Sequence, residues 1–139
     1  MSEATLLDVI ATKAAERLEL RHQQEGGVHA LVYSFDDGRT QLVTLSSIQG
    51  WSGRDTVLVY SIVGPYSDDL DLRPLLGSIT TATFARVCMV QKKYLAVAAT
   101  LDFEEIDLPR LVVSLELRIK EVALFADNFE QDLFGADVF

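Results

Sequence analysis

A chain of 139 residues, 49% hydrophobic and with only three prolines and eight glycines, has the size and composition of one ordinary domain that buries most of its apolar surface, so residues 1–139 are read as a single domain. A net charge of −9 repels phosphate backbones and anionic lipid heads, and Lys92-Lys93 is the only adjacent basic pair, so nucleic-acid and membrane-surface binding are not expected. Apolar runs such as Val57 to Tyr60 and Leu95 to Ala99 fall far short of the roughly 20 residues a spanning helix needs. Glu3 and Asp8 interrupt the start of the chain where a signal peptide would be basic and then unbroken. A single cysteine, Cys88, cannot form an intramolecular disulfide, and the expected compartment is the cytoplasm.

In chain order, Leu7, Ile10, Ala11, Ala14 and Leu18 recur at helical spacing with Asp8, Thr12, Glu16 and Glu19 opposite, which predicts an amphipathic helix over roughly residues 4–20. Gly26-Gly27 resets the backbone. Val28 to Phe35 alternates as a strand, Asp36-Asp37-Gly38-Arg39 forms a turn, and Gln41 to Leu45 returns as the second arm of a hairpin. Ser46 to Asp55, with Gly50, Trp51 and Gly53, reads as a loop holding one aromatic anchor. Thr56 to Val63 is a near-continuous β-branched run, expected to be a central strand covered on both faces.

Gly64-Pro65 ends that strand. Asp68, Asp69 and Asp71 then stand where they complement the positive end of a short helix carrying Leu72, Leu75, Leu76 and Ile79, with Pro74 in its first turn. Phe84 to Gln91 and Tyr94 to Phe103 form a second hairpin through Lys92-Lys93. Asp107 caps a long last helix, with Ile106 as a hydrophobic staple and Pro109 in the first turn, running to about Asn128. The fold class is α+β, an antiparallel sheet of about five strands with flanking helices in the order α-β-β-β-α-β-β-α.

The last helix has two apolar stripes. At about 100° per residue, Leu108, Leu111, Val112, Leu115, Ile119, Val122 and Ala126 form a core-facing side, and Val113, Leu117 and Leu124 fall almost opposite. The second stripe is covered by the following residues Phe129, Leu133 and Phe134, left as scattered surface, or offered to a partner.

Leu72-Arg73-Pro74-Leu75-Leu76, the hairpin Arg86 to Phe103 with Tyr94-Leu95-Ala96-Val97, and Ile106-Asp107-Leu108-Pro109-Arg110-Leu111 entering a long amphipathic helix resemble the Tir-chaperone and YbjN-like superfamily. The resemblance covers nearly the whole chain as an order of elements, and its sequence-level part lies in residues 72–130. It implies a helix-flanked twisted antiparallel sheet, no cofactor, homodimerisation, and binding of an extended client along the sheet and first helix. The chain departs from the type III secretion chaperones in carrying Gln91-Lys92-Lys93 where they carry a glycine-containing turn. A YbjN-like regulator or assembly factor fits the resemblance equally well.

Catalytic and metal chemistry find little support in the residues. His22 and His29 lie seven apart across a glycine pair, a spacing that aims them at no common metal and favours solvated or hydrogen-bonded histidines. Cys88 sits within a strand, where a small buried thiol is expected. Asp68-Asp69-x-Asp71 lacks the glycine of a calcium loop, Glu104-Glu105 with Asp107 reads as helix-start charge, and Gly50-x-x-Gly53 lacks the lysine of a phosphate loop.

The expected function is therefore non-enzymatic protein binding, chaperone-like or regulatory. The client would meet Leu7, Ile10 and Leu18 on an uncovered first helix, Val57, Val59 and Ser61 on the sheet, and Val113, Leu117 and Leu124 on the last helix. Leu72, Leu75, Leu76 and Ile79 are the expected homodimer seam. The alternative is a small-ligand-binding or catalytic domain with a pocket around Trp51, Tyr60 and Tyr66.

Overall fold

The computed structural model describes residues 5–103 and 107–135. Helix α1 (Leu6–Leu18) is followed by strands β1 (Arg21–Glu25), β2 (Val28–Ser34), β3 (Thr40–Gln49) and β4 (Asp55–Pro65). A short helix α2 (Arg73–Ser78) runs into a 3-10 turn over Ile79–Thr81, then β5 (Arg86–Val90), β6 (Tyr94–Asp102) and the long helix α3 (Leu108–Phe134). The strands form one six-stranded sheet in the order β1-β2-β3-β4-β6-β5, and every pairing is antiparallel. No helix among the described residues is long and apolar enough to cross a membrane.

The α+β class holds, with one strand more than the apolar pattern predicts. β1 is Arg-His-Gln-Gln-Glu, almost wholly exposed, and pairs with β2 through a turn in which Gly26 takes φ +60°. An edge strand is held by its backbone hydrogen bonds, so a polar stretch with no alternation forms one as readily as an apolar stretch. The stretch Ser46 to Asp55 is likewise more ordered than a loop. β3 continues to Gln49 with Ser47 opposite Val57 and Gln49 opposite Asp55, and only the tip at residues 50–54 is a turn.

Helix α3 starts where the sequence places it, and α1, expected over roughly residues 4–20, spans Leu6–Leu18. Thr5 and Asp8 form a reciprocal capping box at the head of α1: the Asp8 N–H donates to Thr5 Oγ1 (3.1 Å) and the Thr5 N–H to Asp8 Oδ2 (3.0 Å). Asp107 caps α3 by accepting from the Arg110 N–H (3.0 Å), with Pro109 in the first turn. The staple residue Ile106 lies outside the described residues, as do Glu104 and Glu105. α3 runs on to Phe134, so Phe129, Leu133 and Phe134 do not fold back over the second stripe. They extend the first stripe into the core. Gly64, at a bulge in β4, makes room for this, since a Cβ there would clash with the Phe134 ring.

All three helices pack on one side of the sheet. Leu31, Val43, Leu45, Val57, Val59, Val97 and Leu101 alternate inward against Ile10, Ala14, Leu115, Ile119 and Val122, and Leu75 of α2 joins the same core. Each large side chain there contributes roughly 1.5–3 kcal/mol over its exposed state. The expectation that β4 is interior is met, but it is covered by helices on one face only. Its alternate residues Leu58, Tyr60 and Ile62 are half-buried by neighbouring strands alone. Ion pairs pin the layers: Arg17 of α1 with buried Glu116 of α3, and Arg39 with buried Asp127.

Candidate functional site

The face of the sheet turned away from the helices carries exposed apolar residues among those described. Val28, Leu42 and Ile48 are exposed on it, Leu42 by 48%. Leu42 lies opposite Val32, Thr44 stands between Ala30 and Tyr60, Tyr60 faces Ala98, and Ile62 faces Ala96. These residues share one parity of the pleat, so one continuous patch crosses the four inner strands. Its flanks are polar, with Arg21, Gln23 and Glu25 on β1 and Arg86 at the head of β5. An apolar centre with a polar rim is the composition of a protein-binding surface.

The residues expected to meet a client divide sharply. Leu7, Ile10, Val57, Val59 and Ser61 are buried, and so are corrected from client-binding to core positions. The odd residues of β4 point into the helix layer, and α1 turns its apolar side to that same layer. Ser61 is spent internally, donating to the Leu42 carbonyl (2.6 Å) and accepting from Gln41 Nε2 (2.8 Å). Leu18 is half-buried against the core. Val113, Leu117 and Leu124 are exposed by 44%, 48% and 50%, forming a line along the outer side of α3. In the expected dimer seam, Leu75 is wholly buried and Leu76 is 54% exposed, with Leu72 and Ile79 half-buried against the core.

Trp51, Tyr60 and Tyr66 do not make a pocket. Trp51 is at the β3–β4 turn, Tyr60 lies in the middle of β4 on the uncovered face, and Tyr66 follows the other end of β4. A strand of that length holds its two ends on the order of 30 Å apart.

The histidines are closer than their spacing implies. The β1–β2 hairpin folds at Gly26 and sets His22 diagonally across from His29 on one face, with His22 Nε2 2.8 Å from His29 Nδ1 and the rings stacked. His29 is fully buried, and its Nε2 lies 2.7 Å from Asp8 Oδ1, which also accepts from Gln24 Nε2 (3.1 Å). An ionised Asp8 makes His29 Nε2 the donor, which leaves His29 Nδ1 to accept from His22 Nε2–H. The Thr5 N–H first, and His29 second, hold the Asp8 carboxyl below its ordinary 3.8. Burial first, and the neighbouring His29 second, push His22 below 6.5. This Asp8–His29–His22 chain latches the hairpin to the head of α1.

The signs of these shifts agree. The unfolded chain binds a proton at His22 more readily than the folded chain. The latch's contribution is therefore complete above about pH 6.5 and declines as pH falls through that value towards the lower folded pKa. Asp8 adds a second loss in the same direction below about pH 3.8. The thermal midpoint of the wild type should drop between about pH 7 and about pH 5, and the drop should be shallower in His22→Gln. Calorimetry across this range tests it; parallel pH profiles for the two proteins would remove His22 from the latch's pH response.

The described residues, the Asp8–His29–His22 chain included, hold no group of three or more His, Cys, Asp or Glu placed to bind a metal ion. Asp71 pairs with Arg73, and Asp68 accepts from the Tyr66 hydroxyl (3.3 Å). Cys88 is half-buried on β5, and burial pushes its thiol pKa up, so the reactive thiolate is disfavoured. No protein-family model matches the chain, and no curated protein does.

Proposed function

We propose that this chain is a non-enzymatic, cytoplasmic protein-binding module of chaperone-like or regulatory type, working as a homodimer and receiving an extended client segment on the uncovered face of its sheet. The observation that carries the reading is the one-sided placement of the helices, which leaves Val28, Leu42 and Ile48 exposed on a patch shared with Leu58, Tyr60 and Ile62. Burying such side chains against a partner removes apolar area from water at about 25 cal/mol per Å², and a monomer gains nothing from keeping them wet. The helix-flanked antiparallel sheet supports the Tir-chaperone and YbjN-like resemblance, with the client surface moved from the first helix to the reverse face. Self-association is placed on α2 through Leu76 beside Leu72 and Ile79. The outer stripe of α3 is a second contact surface in the same reading.

An array of short extended peptides rich in aliphatic residues, probed with the wild type, Leu42→Asp and Leu117→Asp, tests this reading. Leu42→Asp should keep its thermal midpoint and lose about tenfold or more in affinity for every peptide the wild type retains, the effect of a charge at the centre of an interface. Leu117→Asp should bind these peptides as the wild type does. A wild type that retains no peptide, or a Leu42→Asp protein that binds undiminished, would overturn the assignment of the sheet face.

A further inference from the structure

A cleft of ≈ 410 Å³ opens at the end of the sheet remote from the β5–β6 turn, between β6, α3 and the segment entering β5. It exists because the two strands of the last hairpin differ in length: β5 begins at Arg86, opposite Ala98, whereas β6 runs on to Asp102. The Phe103 N–H donates to the Asp55 carbonyl (3.4 Å), and Leu101 is paired with Val57, so these two residues direct their backbone groups to β4. By antiparallel alternation Thr100 and Asp102 direct theirs to the opposite side, where no strand lies.

Arg118 of α3 enters that gap. Its Nε donates to the Thr100 carbonyl (2.7 Å), its Nη1 donates to the Ser114 carbonyl (3.0 Å), and its guanidinium lies 4.0 Å from the centre of the Phe84 ring. Two hydrogen bonds and an aromatic face hold the fork still, and its remaining N–H groups meet no acceptor among the described residues. Phe84 is fixed in turn, because the Glu121 carboxylate accepts from the backbone N–H groups of Thr83 (2.9 Å), Phe84 (2.6 Å) and Ala85 (2.6 Å). Arg86 lines the same cleft and forms no ion pair with a described residue.

Asp102 lines it as well. Its Oδ1 accepts from the Thr56 hydroxyl (3.0 Å), which anchors it independently of the arginines. Asp102 and Arg118 attract one another, yet they form no ion pair. Two arginines and one carboxylate, each anchored by its own neighbours or free, thus line a small cleft in a protein of net charge −9, with the Glu121 carboxylate also attracting Arg118. Such an arrangement disfavours a dianion, which Asp102 repels, and a simple cation, which the arginines repel. It complements a ligand bearing one negative and one positive group.

We propose that this cleft binds a free α-amino acid, with Arg118 and Arg86 on the carboxylate, Asp102 on the ammonium, and Phe84 as the apolar wall. The site shares Arg86 with the polar rim of the client face and none of that patch's apolar residues, and it does not rest on the protein-binding reading. An amino acid held here bridges β6 to α3 and the head of β5, closing the gap that the short β5 leaves.

Amide and arginine side-chain spectra of the full ¹⁵N-labelled chain, titrated with glycine, L-serine, L-leucine and L-glutamate up to about 10 mM, test the proposal at affinities down to the millimolar range. The controls are their N-acetyl derivatives, their amides, and inorganic phosphate. At least one free amino acid should shift the signals of Thr100, Asp102 and Arg118, and its N-acetyl and amide forms should bind about tenfold or more weakly. Asp102→Asn should cost affinity for the free amino acid and leave that for its N-acetyl form unchanged. Arg118→Lys should weaken both, and if that variant does not fold, exposed Arg86→Gln carries the same test. No response to any free amino acid, or equal binding of the N-acetyl acids or phosphate, would overturn the proposal.

Discussion

Leu75→Asp should cost the protein at least about 4 kcal/mol of folding stability, and Leu76→Asp should cost about 0.5 kcal/mol or less within the protomer, any further loss being that of the proposed dimer's association. Truncating a buried leucine removes about 2–5 kcal/mol, and a carboxylate placed in the same apolar site adds its own desolvation. Leu75 is wholly buried in the core, whereas its neighbour on the six-residue helix α2 is 54% exposed. Against a typical total of 5–15 kcal/mol, the first substitution takes a large share and the second stays within the range of ordinary surface changes. Urea denaturation of the two variants measures the contrast; equal losses would mean that α2 presents a different side to the core.

The contrast bears directly on function. A loss of dimer in Leu75→Asp would report unfolding, so the seam must be tested at Leu76. On the proposed reading, Leu76→Asp should shift the mass measured by light scattering from dimer to monomer with the fold retained. A folded Leu76→Asp protein that keeps the wild-type mass would move the seam away from α2.

Arg39→Leu should lower the unfolding free energy by about 3 kcal/mol, the lower end of the range for breaking a buried pair because the Arg39 side chain is 36% exposed and partly screened. Arg39 donates through Nε (3.2 Å) and Nη2 (2.8 Å) to the two oxygens of Asp127, which is buried on α3 and also accepts from Gln131 Nε2 (2.9 Å). This forked pair ties the start of β3 to the last turns of α3. Removing the cation alone strands a carboxylate in the interior. Replacing both partners by leucine should recover most of the loss, since the uncompensated charge is what costs. A double-mutant cycle by denaturant unfolding should give a coupling of about 2 kcal/mol or more. Coupling near zero would show that the pair holds nothing together.

The sequence by itself determined the elements whose residues meet the interior. The stripe from Leu111 to Ala126 predicts which side of α3 is buried, Asp107 and Pro109 predict where that helix starts, and Thr56 to Val63 marks the interior strand. Each is a local signal, because the period of apolar residues reports how one element faces the core.

Only the tertiary structure decided the rest, for two physical reasons. Strand pairing uses backbone groups that every residue carries, so the polar strand Arg21–Glu25 and the polar end of β3 leave no mark in hydropathy. Coverage depends on where other layers lie: the pattern shows that β4 and α3 are apolar on two faces, but not that Leu117 remains exposed while Val57 and Leu115 are sealed. The same holds for side chains far apart in the chain. Asp8 reaches His29 and Arg118 reaches Thr100 only because the hairpin at Gly26 and the crossing of α3 bring them within hydrogen-bonding distance.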